Sequence, residues 1–212
     1  MKYPDFFDTI ETIKLEDDLS LFLGTFENGK IEFSYLDIVK AAGHSCPTVA
    51  GAYIITLVAL KKLFEDETPK RGKICVSFQE DSKDGATGVI ANVISLVTGA
   101  TEYTGFKGIQ GNFQRYGLMK FNAKLNTSIK FQRIDTCKTI ELSYNPNTIV
   151  QNPLIPKLMK KIMTKSATSE EKKKFGILWQ DRVATIFENI DNVIEIKWNK
   201  KNLKIDWMSP WN

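Results

Sequence analysis

Residues that bind metals or form disulfides are scarce in this sequence. The 212-residue chain contains one histidine, His44, and three cysteines, Cys46, Cys75 and Cys137. Three cysteines so far apart cannot all pair, which excludes a disulfide framework and makes a reducing compartment, the cytoplasm, the expected location. The scarcity also restricts any zinc site, because zinc in proteins takes three or four ligands.

Long apolar runs and a strong excess of one charge are missing as well. No apolar run approaches the roughly 18 residues that span a bilayer, and the N-terminus lacks a signal-peptide pattern, so we expect no membrane partner. The 29 basic and 25 acidic residues leave a formal charge of +4, which is too small to indicate a polyanionic partner. Seven lysines between Lys157 and Lys174 are interpreted as a solvated helix face. Because this run carries no nucleic-acid-binding motif, we expect no nucleic-acid partner.

What the chain does contain is an ordinary globular composition, with 42% hydrophobic and 25% charged residues. Two apolar helices, from Pro47 to Phe64 and from Gly88 to Val97, are expected at the centre of the fold, because an apolar surface needs packing partners. Asn28-Gly29 predicts a hairpin, since both turn positions need positive φ. Strands and helices occur without a regular βαβ order, which favours α+β over a doubly wound fold.

The other elements follow from hydrophobic periodicity. The remaining predicted helices are 3–13, 36–42, 153–165 and 169–190, and the predicted strands are 21–23, 31–35, 73–79, 115–121, 128–133, 139–143 and 193–198.

The segment with the most chemical potential is His44-Ser45-Cys46-Pro47. In an extended segment the side chains at i and i+2 point to the same side, so an imidazole nitrogen and a sulfur could bind one metal ion. Pro47 is typical of the first helical position, which puts Cys46 at or next to the N-cap, where the helix dipole favours a thiolate. Two ligands are too few for zinc. The carboxylates considered to complete the site are those of Glu80, Asp81 and Glu102.

The stretch from Gly43 to Tyr53, GHSCPTVAGAY, resembles the first signature of the FmdE family, which is a histidine, one residue, Cys-Pro and then a small-residue helix. The second signature, a helix ending in Thr-Gly-Cys-Thr and a glycine-rich turn with a basic residue, is similar to residues 92–101 and 105–108. The resemblance covers about residues 20–145. It implies a thioredoxin-like α+β core, with a mixed β-sheet flanked by helices. We expect a single domain over residues 1–212, with a helical extension from about residue 150.

The resemblance also implies a metal site, occupied by zinc in some members, at His44 and Cys46. Other residues of the two signatures are expected to contact a ligand there, namely Pro47, Tyr53, Asn92, Thr98, Gly99, Thr101 and Lys107. The chain departs from the family where Val89 and Ala100 replace cysteines and Asn92 replaces an aspartate, and it has no C-terminal four-cysteine zinc finger. Either the metal is held differently, or the pocket takes another ligand.

Three functions remain open. The resemblance favours an accessory, non-catalytic protein that binds a small ligand or a transition metal, zinc first. The alternative is a haem or tetrapyrrole-binding protein with Cys46 or His44 as axial ligand. The third is a thiol enzyme with Cys46 as nucleophile and His44 as base. We also expect a homodimer, because the family tends to self-associate and Trp198, Trp207 and Trp211 are candidates for an exposed interface.

Overall fold

The computed structural model describes residues 2–198 of the chain. Of the tryptophans considered for an interface, Trp207 and Trp211 lie outside these residues, and Trp198 is placed by its backbone only. The helices are α1 Asp18–Phe22, α2 Tyr35–Ala42, α3 Pro47–Phe64, α4 Thr87–Thr98, α5 Leu154–Met163, α6 Ser169–Glu188 and α7 Ile190–Val193. The strands are β1 Ile13–Glu16, β2 Lys30–Phe33, β3 Ile74–Phe78, β4 Met119–Lys120, β5 Ile129–Arg133, β6 Thr139–Tyr144 and β7 Ile194–Trp198.

The strands described form two sheets. The five-stranded sheet has the order β4-β3-β5-β6-β7, in which β3 and β4 are parallel and the other neighbours are antiparallel. Strands β1 and β2 form a separate antiparallel pair. The predicted strand over 115–121 is reduced to β4, because Gly117 has a φ of 73° and turns the chain just before it. The mixed sheet with flanking helices confirms the α+β prediction, whereas the likeness to thioredoxin and the single domain stay predictions.

Helix α3 is the centre of the fold. Fourteen of its 18 residues are buried, and it packs against α2, α4, α6 and β6. Thr56, in the middle of the helix, donates its hydroxyl to the Ala52 carbonyl at 2.7 Å. The buried hydroxyl therefore has a hydrogen-bond acceptor. By length and composition α3 is long and apolar enough to cross a membrane, which corrects the expectation that no segment is. In this fold 72% of that window is buried inside the protein, as a core helix is.

The N-terminal region differs from the prediction. Residues 3–13 form a 3-10 helix, Asp5–Thr9, and the start of β1 rather than one α-helix. Leu21–Leu23, predicted as a strand, lies in α1 and its C-cap, because the Asp17 carboxylate accepts two backbone N–H groups and starts a helix there. Asn28-Gly29 has the expected positive φ values of 55° and 67°, but it connects α1 to β2, which pairs with β1.

The C-terminal helices have a small core of their own. Ile155 and Leu158 of α5 pack with Leu178 of α6, supported by Phe175 and Trp179. Further along, α6 joins the main core through Val183 and Ile186. Helix α6 therefore links the outer helical pair to α3, and it brings Trp179 to the start of that helix.

A buried ion network fixes the chain beside the last turn of α4. The carboxylate of Asp17 lies 3.1 Å from Nη1 of Arg71 and 2.5 Å from Nη2 of Arg115. Burial raises the Asp17 pKa, but the two guanidinium groups lower it more, and the net pKa lies below its usual value of 3.8. Arg71 also donates to the carbonyls of Leu96 and Val97, the last turn of α4. The network thus joins α1, α4 and the loop before β4.

Candidate functional site

Four residues, 43–46, join α2 to α3, and both helix ends are set by local sequence. Helix α2 starts with a capping box between Ser34 and Asp37 and ends at Gly43, whose φ of 77° reverses the chain. Helix α3 starts at Pro47, and Cys46 is its N-cap, as predicted. The short connection leaves His44 exposed beside the end of α2.

His44 is oriented by its own backbone. Its Nδ1 atom lies 3.0 Å from the Ala42 carbonyl oxygen and donates to it in the tautomer that this contact requires. The lone pair is then on Nε2, at the outer end of the ring. A histidine whose Nδ1 is held by a carbonyl and whose Nε2 is free has the arrangement of a metal-ligating imidazole.

His44 lines a cavity of about 320 Å³ between α2 and α4. The α4 wall contains Val89, Asn92 and Leu96, which follow a helical spacing that puts them on one face. The other lining residues are Ile38, Ala41, Ala42 and Val93. The cavity therefore has apolar walls with an imidazole and one amide, and it joins His44 of the first signature to Val89 and Asn92 of the second.

Cys46 has different surroundings. It is not among the residues that line this cavity, and its partly buried side chain packs against the main core. Its Sγ accepts the backbone N–H of Val49 at 3.5 Å, the bond of an N-cap. The phenols of Tyr35 and Tyr144 contact its chain neighbours, Ser45 and Pro47, and burial raises the pKa of both phenols.

Contacts from three elements hold the segment between α2 and α3 in place. The hydroxyls of Tyr35 and Ser45 are 2.9 Å apart, and Tyr144 donates to the Pro47 carbonyl at 2.7 Å. From α6, Trp179 Nε1 and Gln180 Nε2 each donate to the Ser45 carbonyl at 3.2 Å. Fixed backbone on both sides of His44 reduces the ordering cost of binding a ligand at its ring.

A family model described as "FmdE, Molybdenum formylmethanofuran dehydrogenase operon" matches residues 41–195, more than half of the 212-residue chain. The chain belongs to the FmdE family. The match begins just before His44 and includes α5 and α6, so it extends further toward the C-terminus than the resemblance noted in the sequence. No curated protein matches the chain.

The remaining FmdE signature residues do not line the cavity, and several of them hold the backbone in place. Tyr53 is fully buried and donates its hydroxyl to the carbonyls of Glu11 and Phe33 at 2.7 and 3.0 Å. Thr98 is buried and donates to the Ile94 carbonyl at 2.7 Å. The others are Pro47 at the first position of α3, Gly99 as the αL C-cap of α4, Thr101 bonded to the Arg115 carbonyl, Ala100 in the core, and Lys107 on an exposed loop.

The candidate carboxylates have other partners. Glu80 accepts the Thr87 hydroxyl at 2.8 Å, and Asp81 accepts the Asn122 amide at 2.9 Å. Burial raises the pKa of Glu102, which is also not a lining residue of the His44 cavity. Within residues 2–198 no three histidine, cysteine, aspartate or glutamate side chains are grouped closely enough to hold a metal ion. The FmdE metal site implied by the resemblance therefore does not fit this donor set as a site for a bare ion.

Sequence reasoning missed most of the cavity wall. Ile38, Ala41, Val93 and Leu96 carry no chemical signal of their own. The only signal in the sequence was the helical spacing of Val89, Val93 and Leu96, which does not distinguish a cavity wall from a core face; the structure shows the difference at Val89, which is 40% exposed.

Proposed function

We propose that this FmdE-family protein is an accessory binding protein that holds a metal-bearing ligand over the α2–α4 cavity, with His44 Nε2 as the protein's ligand to the metal. The observation that supports this most is the combination of one oriented imidazole with apolar walls. A ligand of this kind brings most of its own donor atoms, so one protein ligand is enough. A metallated tetrapyrrole such as haem is the leading example.

The alternative of a bare transition metal, zinc first, rests on family membership and on the closeness of His44 and Cys46 in sequence. It requires at least one further donor, because structural and catalytic zinc sites take three or four protein ligands. Asn92 is the other polar side chain of the cavity, and a neutral amide is a weak substitute for a thiolate or carboxylate. Valine at position 89 contributes only hydrocarbon.

Cavity size limits how much of such a ligand is enclosed. Small-molecule sites span about 300 to 1,000 Å³, and the 320 Å³ cavity is at the low end of this range. One edge of a tetrapyrrole would lie between α2 and α4, and the rest of the ring would be exposed to solvent. We propose that a second copy of the chain covers this exposed part, so the homodimer remains part of the proposal.

An accessory role is proposed in place of catalysis. A thiol enzyme needs Cys46 and His44 in mutual reach beside one substrate, and the cavity has His44 without Cys46 among its lining residues. The description of the family refers to the formylmethanofuran dehydrogenase operon, so we propose that the chain serves a molybdenum enzyme of that kind as a cytoplasmic accessory subunit.

A hemin titration followed by absorbance tests the proposal. The wild-type protein should give a saturable Soret band, and His44→Ala should abolish it. Cys46→Ala should retain it, because Cys46 is not a lining residue, and Asn92→Ala is the matched control, since it changes the same cavity without removing the proposed ligand.

Two results would refute this proposal. One is the absence of a Soret shift in the wild type. The other is stoichiometric zinc in protein purified without chelators, lost equally in His44→Ala and Cys46→Ala, which would establish the bare-ion alternative.

A further inference from the structure

A second cavity lies beside the buried ion network, and Arg71 and Arg115 of that network line it. It has a volume of about 220 Å³ and is lined by three cationic side chains, Arg71, Lys73 and Arg115. Its other lining residues are Asp18, Gly72, Gly111, Asn112, Phe113, Gln114, Leu118 and Ile134. None of the described residues that line the His44 cavity takes part in it, so the two sites are distinct.

Positive charge exceeds negative charge around this cavity. Arg71 and Arg115 share one buried carboxylate, that of Asp17, and Asp18 is the only carboxylate among the described residues that line the cavity. Lys73 is exposed, and no ion pair of Lys73 is found within residues 2–198. Three cations against two carboxylates leave one positive charge in excess.

The arginine in this wall is held rigidly and is not fully satisfied. Arg115 is 6% exposed, and a Cβ on Gly72 would lie 1.3 Å from its Nη1, so only glycine at that position leaves space for the guanidinium group. Its Nη2 is used by Asp17, whereas no acceptor for its Nε is found within the described part of the chain. A buried donor without an acceptor is costly, and nearby negative charge reduces the cost of the buried cation.

We propose that this cavity binds a small oxyanion, the phosphate of a free ion or of a phosphomonoester. The cavity has room for a phosphate group and an excess of positive charge, and guanidinium and ammonium groups are the usual partners of phosphate in proteins. Lys73 supplies the accessible charge at the rim, and Arg115 supplies the fixed charge in the wall. Phe113, which lines the cavity and packs against Phe22 with ring centroids 5.2 Å apart and planes tilted by 31°, offers an apolar surface to the organic part of an ester.

The test is calorimetric titration of the full chain with inorganic phosphate and, separately, with phenyl phosphate at low ionic strength. Saturable binding of either probe is expected. Lys73→Ala should weaken it about tenfold, the loss expected of one charge-assisted hydrogen bond. Lys172→Ala, which removes the same charge from an exposed position on α6, should leave it unchanged. Tighter binding of phenyl phosphate would identify an ester as the preferred source, and equal binding would identify the free ion.

A second measurement keeps the proposal testable if a variant is unstable. Phosphate should raise the melting temperature of the wild type but not that of Lys73→Ala, whereas sodium chloride at matched ionic strength should not raise either. The proposal is overturned if neither probe binds the wild type, or if Lys73→Ala and Lys172→Ala weaken binding equally, since the attraction would then come from overall charge alone.

Discussion

Replacing Gly51 by alanine should destabilise the protein by about 1–3 kcal/mol, because α3 passes directly against the Tyr144 ring. A Cβ on Gly51 would lie 2.2 Å from Cε1 and 2.4 Å from Cζ of that ring. Non-bonded carbons prefer about 3.5–4.0 Å, so the ring must move by more than about 1 Å. The movement also breaks the hydrogen bond from Tyr144 to the Pro47 carbonyl, worth about 1 kcal/mol. Alanine's better helix propensity returns about 1 kcal/mol.

The assay is urea unfolding followed by circular dichroism, with Gly176→Ala as the matched control. Gly176 is also helical, in α6, but an added Cβ there meets no atom within 4 Å. Gly176→Ala should therefore stabilise the protein by about 0.5–1 kcal/mol. The double variant Gly51→Ala/Tyr144→Ala should be less destabilised than the sum of its single changes, since the clash is removed. If Gly51→Ala stabilises the protein as Gly176→Ala does, the described contact of α3 with β6 is wrong.

Three further outcomes are expected. Asp17→Asn should cost about 3–5 kcal/mol in urea unfolding, because two arginines lose their shared carboxylate. Since the folded-state pKa of Asp17 lies below 3.8, its stabilisation is complete only above about pH 5 and is lost as the pH falls through the folded-state pKa, so an acid titration of Asp17→Asn should lack this loss. Burial raises the pKa of Cys75 to about 12, so alkylation at pH 8 should modify the partly exposed Cys46 and Cys137 and spare Cys75, as mass spectrometry would show. Trp179→Phe should cost about 0.5–1.5 kcal/mol and speed hydrogen exchange in the segment between α2 and α3, and unchanged exchange would refute the supporting role of α6.

Local signals explain which elements the sequence predicted. Helix α3 begins at Pro47 as predicted, and α4 ends at Thr98, one residue beyond the predicted Val97, because a proline at the first helical position and an αL glycine after the last one act within a few residues. The Asn28-Gly29 hairpin was wrong although both φ values are positive, because the partner of β2 depends on contacts distant in sequence. Asp17 starts α1 and is itself fixed by Arg115, 98 residues away.

The candidate site was predictable in its chemistry but not in its shape. His44 stood out because it is the only histidine, and the N-cap position of Cys46 followed from the proline after it. The direction of each side chain did not follow, since His44 lines the α2–α4 cavity, whereas Cys46 packs against the main core. The rule that side chains at i and i+2 point to the same side holds for extended strands. It does not predict side-chain directions in a short segment whose backbone is fixed by a helix at each end.

The most direct test of the proposed function uses the fact that His44 is the only histidine in the chain. Protein labelled with ¹⁵N-histidine would be titrated with zinc protoporphyrin, a diamagnetic tetrapyrrole, and its two ring-nitrogen resonances followed. The account predicts that the Nε2 resonance shifts to that of a metal-bound nitrogen while Nδ1 keeps its proton. An Nε2 resonance that does not change, or coordination through Nδ1, would contradict it.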